Sequence, residues 1–139
     1  MRGSLIVRIQ MKNIRVSAAV IAHDGKIFAT QRGYGQYKDY WEFPGGKRED
    51  GESGEDAIIR EIKEELNVDI AVDSYLTTVE YQYPEFFLVM DVYLCSIVSG
   101  EISLSVHEDA RWLSAIDIDT VDWLPADIAV IEEMKKKAL

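Results

Sequence analysis

The stretch REIKEEL, residues 60–66, places three glutamates within seven positions of the chain. At about 100° per residue, Glu61, Glu64 and Glu65 fall on one face of a helix, at spacing i, i+3 and i+4. An apolar stripe lies about a third of a turn away on the same helix. Its members are Ile58, Ile62 and Leu66. The pattern predicts a helix that buries its apolar side and presents an acidic face.

The ends of this helix are also marked in the sequence. Ser53 is a suitable N-cap, and Asp56, three residues later, is a weak capping-box partner. The apolar stripe stops at Leu66, and Asn67 follows it. Asparagine tolerates the left-handed conformation that ends many helices. We therefore expect the helix to run from residue 54 to about residue 66, with Asn67 closing it.

The acidic face has two interpretations. Glu61 and Glu65 are like charges at i, i+4, which destabilises a helix by about 0.2–0.5 kcal/mol, and Arg60 offsets part of this through Glu64. Acidic helix faces are mostly solvated, and this one is tolerable in that role. The functional interpretation is a site for a hard cation, because three carboxylates and a backbone carbonyl supply the oxygen ligands that Mg²⁺ or Mn²⁺ prefers.

The length and composition limit the class of protein. The chain has 139 residues, which suits a single domain spanning 1–139. Met11 resembles a natural start, so residues 1–10 are a possible N-terminal extension. No apolar run reaches the roughly 18 residues of a membrane-spanning helix, and the first residues do not resemble a secretory signal. With its one cysteine, Cys95, the chain is expected to be cytoplasmic and without a membrane partner.

The charge balance limits the ligands. Lys and Arg number 15 against 25 Asp and Glu, which gives a formal net charge of −10. Such a surface repels a nucleic acid backbone, so a polymeric nucleic acid is not an expected partner. A small anionic ligand would need local neutralisation, for which a divalent cation is the usual device. The sequence leaves monomer and homodimer open.

The order of predicted elements gives the fold class. Residues 33–40 and 41–53 are glycine-rich and are expected to form loops. Runs of β-branched and apolar residues predict strands at 14–22, 26–32, 68–72, 75–83, 86–98, near 102–105, and at 110–114. Pro125 opens a second helix, which ends in lysines as the helix dipole favours. We predict an α/β (α+β) fold with helices packed on a mixed sheet.

The acidic helix is the second half of a longer pattern. The fixed positions are Gly46, Glu52, Arg60, Glu61, Ile62, Glu64, Glu65 and Val68. Their spacing resembles the Nudix box, G-x5-E-x7-R-E-U-x-E-E-x-G-U, in which U is an aliphatic residue. Asn67 stands where the family has glycine. Because asparagine is the next-best residue for a left-handed position, the helix end should be preserved.

The likeness extends beyond the box, from about Met11 to the C-terminus. WEFPGGK (41–47), HEDARWLSAIDI (107–118) and DWLPADIAVI (122–131) resemble the MutT branch of the family, the nucleoside triphosphate pyrophosphohydrolases. The resemblance implies an α/β/α sandwich around a mixed sheet. This agrees with the element order predicted from the residues.

The resemblance also implies a metal site for Mg²⁺, with Mn²⁺ as an alternative. The implied ligands are the carbonyl of Gly45 and the carboxylates of Glu61, Glu64, Glu65 and Glu108. Arg60 matches the arginine that orients the glutamates of the box, and Glu52 matches its pairing partner. Glu61 is the first candidate for the general base, and Glu108 or Glu64 is the second.

The implied reaction converts a nucleoside triphosphate and water into a monophosphate and pyrophosphate, with attack at the β-phosphorus. The implied substrates are 8-oxo-dGTP, or CTP, dCTP and modified pyrimidine nucleotides. One alternative is hydrolysis of another nucleoside diphosphate linkage, such as ADP-ribose or a dinucleoside polyphosphate. A second is a nucleotide-sensing module without catalysis. The MutT-like flanks argue against the first alternative, and the intact box argues against the second.

Four further residues are candidates for substrate binding. Arg32 and Lys47 would help to hold the triphosphate, and Phe43 would lie near the base. Asp127 matches a base-reading position. An ionised Asp only accepts hydrogen bonds, which suits the amino group of cytosine and the N1–H and N2–H₂ of guanine alike. Asp127 also follows Pro125 closely, so capping of the last helix is its alternative role.

Overall fold

The computed structural model describes residues 12–102 and 107–139, apart from the side chains of His107 and Glu108. The strands are β1 (Lys12–His23), β2 (Lys26–Arg32), β3 (Trp41–Glu42), β4 (Gly45–Lys47), β5 (Asp69–Gln82), β6 (Phe86–Ser99) and β7 (His107–Leu113). The helices are α1 (Gly54–Leu66) and α2 (Pro125–Lys136). The suggested extension at 1–10 and most of the strand predicted near 102–105 lie outside the described residues.

The long strand β1 organises the sheet. It pairs in parallel with β6 from Lys12 to Ile21, and on its other side it pairs antiparallel with β4 and then with β2. Strand β5 lies antiparallel to β6, and β7 lies antiparallel to β2. One parallel pair within an antiparallel frame makes the sheet mixed, as the sequence predicted.

The two helices cover opposite faces of this sheet, because successive side chains of a strand point to opposite sides. Ala19 and Ile21 of β1 share a core with the apolar stripe of α1. Ala18 and Val20 share the other core with α2, which contributes Ala126, Val130, Ile131 and Met134. The α/β/α sandwich is therefore confirmed. In the described part of the chain, neither helix is both long and apolar enough to cross a bilayer.

The expectation that residues 41–53 form only a loop was wrong, because β3 and β4 lie within them. Gly45 and Gly46 are extended and pair with Ala18 and Ser17 of β1. A Cβ atom on Gly45 would overlap the carbonyl oxygen of Ser17. Glycine therefore permits a close backbone approach here, and pairing with a distant strand overrides its weak preference for strands.

The predicted break between strands 68–72 and 75–83 was also wrong. The chain continues as the single strand β5, and its register against β6 shifts between Val72 and Ser74 and again between Tyr75 and Thr77. Such bulges accommodate the polar residues Asp73 and Ser74 without ending the strand.

Candidate active site

Helix α1 begins and ends where the sequence predicted. The Oγ of Ser53 accepts a hydrogen bond from the backbone N–H of Asp56 at 3.1 Å. Asn67 adopts φ 58°, in the left-handed region, and its N–H binds the carbonyl of Lys63. These two caps fix the length and rotation of the helix, and hence the direction in which its acidic face points.

Arg60 donates hydrogen bonds to several carboxylates on and near the acidic face. Its Nε and Nη2 donate to the two carboxylate oxygens of Glu52 at 2.8 and 2.9 Å. Its Nη1 donates to Glu61 at 2.9 Å and to Glu64 at 3.2 Å. The paired contact with Arg60 lowers the pKa of Glu52 to about 2. Arg60 thus orients Glu61 and Glu64, and Glu52 is its bidentate partner, in the arrangement that the resemblance implied.

The same arginine ties the helix to strand β4. Its Nη2 also donates to the carbonyl oxygen of Lys47 at 3.0 Å. The carboxylate of Glu61 packs directly over Gly46, where a Cβ atom would overlap it. Two adjacent glycines therefore serve two contacts. Gly45 lets the strand approach β1, and Gly46 makes room for the carboxylate of Glu61.

Glu65 points from α1 into a cavity lined by Arg32, Glu42, Phe43 and Gly45, among others. Burial raises its pKa to about 8, and repulsion from Glu61, Glu42 and Glu64 adds to the shift. A hydrogen bond with the backbone of Gly45 acts in the opposite direction. This carboxyl therefore lies among other acids in a place where water is scarce, which is an unfavourable environment for a bare negative charge.

The carboxylates of Glu61, Glu64 and Glu65 and the carbonyl of Gly45 would suit a hard divalent cation as ligands, because all of their donor atoms are oxygen. A bound cation would also relieve the repulsion among the acids that adds to the raised pKa of Glu65. Among the described His, Cys, Asp and Glu side chains, no group of three stands at metal-ligand spacing. Instead, Arg60 binds the carboxylates of Glu61 and Glu64.

A second cavity adjoins the first and shares four lining residues with it: Arg32, Glu42, Phe43 and Gly45. It extends away from Glu65 between β1, β6 and the start of α2, and reaches Asp127. Its walls are largely apolar and include Tyr37, Tyr83, Phe86, Leu88, Met90 and Leu124. The two cavities form a cleft with a polar end at Glu65 and an aromatic end at Asp127.

Asp127 lies at the aromatic end of the cleft and is only 4% exposed. Its Oδ1 accepts a hydrogen bond from the backbone N–H of Phe43 at 2.9 Å. Burial raises its pKa to about 8, and Glu42 adds to the shift. The N-cap residue of α2 is Leu124, which makes no side-chain capping hydrogen bond. Asp127 lies in the first turn of α2 and also lines the cleft.

Phe43 and Arg32, two of the candidates for substrate binding, both line the cleft. The Phe43 ring stacks on Trp123, with centroids 4.7 Å apart. The Nε of Arg32 donates to Glu42 at 3.0 Å. This pair occupies the junction between the polar and aromatic ends. Glu42 was not among the predicted site residues, although it lies next to Phe43 in the WEFPGGK motif.

Two predicted site residues, Lys47 and Glu108, are not among the described residues that line the cleft. The side chain of Lys47 is exposed and is outside the lining of both cavities, although its carbonyl binds Arg60. Glu108 lies near the start of β7, where the neighbouring His107 pairs with Arg32 of β2. The side chain of Glu108 is outside the described part of the structure.

Comparison with known proteins identifies the family. The NUDIX domain model matches residues 11–137, nearly the whole chain. The chain belongs to the NUDIX family. It is similar to an 8-oxo-dGTP diphosphatase of Escherichia coli (strain K12), 29% identical over 128 residues that cover 91% of this chain and 99% of that protein. It is also similar to a CTP pyrophosphohydrolase of the same organism, 32% identical over 123 residues that cover 88% of this chain and 91% of that protein.

A solved NUDIX structure has the same fold. The MutT NUDIX hydrolase from Burkholderia pseudomallei superposes with a TM-score of 0.80 at 28% identity, covering 88% of this chain and 98% of that one. Together with the NUDIX domain, the relatives named as diphosphatases and pyrophosphohydrolases support the conclusion that this protein is a hydrolase. NUDIX hydrolases generally use a divalent metal ion and act on nucleotides. The two relatives from Escherichia coli carry the names of different nucleotides, so membership of the family leaves the substrate open.

Proposed function

We propose that the protein is a Mg²⁺-dependent nucleoside triphosphate pyrophosphohydrolase that also accepts Mn²⁺. It converts a triphosphate and water into a monophosphate and pyrophosphate, and acts on 8-oxo-dGTP or on CTP, dCTP and modified pyrimidine nucleotides. It works as a single domain in the cytoplasm, as a monomer or homodimer, on free nucleotides and without a nucleic acid or membrane partner.

The observation that carries this proposal is the two-ended cleft. Glu65 lies at one end and Asp127 at the other, and four residues line both halves. A nucleotide has matching ends, since its polyphosphate requires cations and its base requires an apolar slot with a few polar groups. The cleft therefore orients a nucleotide with its phosphates toward α1 and its base toward α2.

The chain's own groups have separable tasks in the reaction. Metal bound at the box would neutralise phosphate charge and lower the pKa of a coordinated water. Arg60 binds Oε1 of Glu61, and the carboxylate packs over Gly46. From this fixed position Glu61 would accept the proton of the attacking water, with Glu64 or Glu108 as the alternative base. Glu52 holds Arg60 in place, and Glu65 completes the ligand set.

The base end of the cleft discriminates through Asp127. Its Oδ1 accepts from the backbone N–H of Phe43, and Asp127 belongs to the lining of the aromatic end of the cleft. In its ionised form, which predominates at pH values above its pKa of about 8, the carboxylate would accept from the amino group of cytosine or from the N–H groups of guanine. Both base classes named by the relatives therefore suit this site, which is why the proposal keeps 8-oxo-dGTP and cytidine nucleotides together.

A product assay with a panel of nucleotides tests the proposal. The protein would be incubated with Mg²⁺ and CTP, dCTP, 5-methyl-dCTP, dGTP, 8-oxo-dGTP or ADP-ribose, and the products separated by ion-exchange chromatography. Monophosphate and pyrophosphate from a triphosphate are the expected result. Turnover of ADP-ribose alone, or binding without turnover of any substrate, would contradict the proposal.

A further inference from the structure

A buried acid with two arginine partners lies on the face of the sheet that α1 covers. Asp91 of β6 is 4% exposed, and its carboxylate accepts from Nε of Arg15 at 3.0 Å and from Nη1 of Arg48 at 3.4 Å. Thr78 donates to its other oxygen at 2.8 Å, and the Tyr75 hydroxyl binds Thr78. None of these residues is a fixed position of the box pattern, and none lines the cleft.

The network lies next to the segment that joins the two halves of the box. Arg48 directly follows β4, and its backbone N–H binds the carbonyl of Arg15 at 3.1 Å. The side chain of Arg48 is mostly buried, and among the described groups Asp91 is its hydrogen-bond acceptor. Asp91 therefore anchors the chain at the point where it leaves the sheet.

The start of helix α1 rests on the same group of side chains. A Cβ atom on Gly54 would overlap the hydroxyl of Tyr93 and would lie 3.4 Å from Nη2 of Arg48. Only residues 49–53 separate Arg48 from Gly54, and they include Glu52, the partner of Arg60. A displacement of Arg48 would thus move the connection that carries Glu52 and change how Arg60 holds the glutamates.

We infer that Asp91 is a positioning residue for the active site, acting through Arg48 on the segment between β4 and α1. The inference rests on the proposed function. Asp91 faces the α1 side of the sheet, whereas its neighbour Met90 faces the α2 side and lines the aromatic end of the cleft. The effect of Asp91 should therefore fall on the metal site and on kcat, and leave base recognition unchanged.

The test combines Asp91→Asn with Arg48→Met and with the double variant. Asp91→Asn should lower kcat at least tenfold, weaken Mn²⁺ binding severalfold, and leave the ratio of kcat/KM between two bases unchanged. In the Arg48→Met background, Asp91→Asn should add less than a twofold loss, because its route of action is already broken. Glu80→Gln, which removes an exposed acid from neighbouring β5, is the matched control and should behave as wild type.

Distinct outcomes separate the two proposals. If the wild type hydrolyses a triphosphate and Asp91→Asn keeps kcat within twofold, the positioning role is wrong. Losses that multiply in the double variant would also overturn it, since they indicate independent effects. If the wild type hydrolyses no triphosphate, the proposed function fails. Mn²⁺ titration by electron paramagnetic resonance then still tests whether Asp91 positions the metal site. Unchanged Mn²⁺ affinity in Asp91→Asn would then contradict the inference.

Discussion

The acidic side chains in and beside the cleft differ in the direction in which their surroundings shift their pKa values. Arg60 keeps Glu52 ionised, with a pKa of about 2, which suits a fixed partner and not a base. Burial and neighbouring acids raise the pKa of Glu65 and of Asp127 to about 8. Glu42 contributes to both shifts because it lies between them, paired with Arg32. Groups with displaced pKa values at both ends of one cleft are typical of a functional site.

Glu65→Gln should lower kcat by at least about a hundredfold, the scale typical of losing a catalytic contact. The variant should remain folded, because it replaces a buried carboxyl surrounded by other acids with a neutral group of the same shape. Steady-state kinetics and thermal unfolding would be measured together. The control is Glu55→Gln, an exposed position in the first turn of the same helix. Near-normal turnover of Glu65→Gln would remove Glu65 from the active site.

The pH dependence of stability should reveal the raised pKa of Asp127. The native state holds this proton more tightly than the unfolded chain, whose value is near the ordinary 3.8. The resulting stabilisation is complete below about pH 4 and is lost as the pH rises through about 8. The stability of Asp127→Asn should not fall in this way, because its amide does not titrate. The amide also keeps an oxygen that can accept from the backbone N–H of Phe43. The variant should therefore gain stability relative to wild type as the pH rises.

The expected gain between pH 5 and pH 9 is on the order of a few kcal/mol, since one unit of pKa corresponds to about 1.4 kcal/mol. Urea unfolding at several pH values measures it. Asp119→Asn, at an exposed acid that pairs with Lys135, is the control. A constant difference between Asp127→Asn and wild type across this range would show that Asp127 titrates normally.

Asp127→Asn should also change base preference more than rate. Above about pH 8 Asp127 is mostly ionised and only accepts hydrogen bonds, whereas the amide of the variant also donates, so the variant should favour a different base edge in that pH range. The measurement is the ratio of kcat/KM for CTP to that for 8-oxo-dGTP. An unchanged ratio would limit Asp127 to its hydrogen bond with Phe43.

At the scale of elements, the connection from β4 to α1 does most to build the site. Its two glycines are adjacent but meet different neighbours. A Cβ on Gly45 would meet backbone, namely the carbonyl of Ser17, whereas a Cβ on Gly46 would meet the side chain of Glu61. Backbone cannot yield without breaking strand pairing, but a side chain can rotate away. A substitution at Gly45 should therefore affect stability, and a substitution at Gly46 should affect catalysis.

Gly46→Ala should leave the melting temperature nearly unchanged and lower kcat at least about tenfold, because it displaces the carboxylate of Glu61 from its position. Gly45→Ala should instead lower stability by about 1–3 kcal/mol through overpacking against β1. Thermal unfolding and initial rates of the two variants would be compared side by side. Equal effects of both substitutions on stability would contradict this division.

Local signals predicted α1 and the bounds of several strands well. The roles of Ser53 and Asn67 follow from residues within a few positions, and the structure confirms both. Strands β3 and β4 were overlooked because they are only 2 and 3 residues long and are defined by pairing with β2 and β1, which a local sequence pattern does not show. The same limitation applies to the continuity of β5, where pairing with β6 carries the strand through a polar stretch.

At the scale of the whole molecule, the chain must bind an anionic substrate despite its own net charge of −10. The fold gathers acids along one cleft, from Asp127 through Glu42 to Glu65, and adds Glu61 and Glu64 at the α1 end. The sequence predicted most of these residues through the box and its flanks. It could not show that Glu42 lies between the two ends of the cleft or that Asp91 contacts Arg48 beside the box. Both observations depend on contacts between separate strands.

The central claim is that divalent cations join the carboxylates of the box to a polyphosphate. Crystals grown with Mn²⁺ and a non-hydrolysable triphosphate analogue would test it most directly, through the anomalous scattering of the metal. The expected result is an anomalous peak within coordination distance of Glu61, Glu64 or Glu65 and of a phosphate oxygen. An analogue bound in the cleft with no metal between its phosphates and these three glutamates would contradict it.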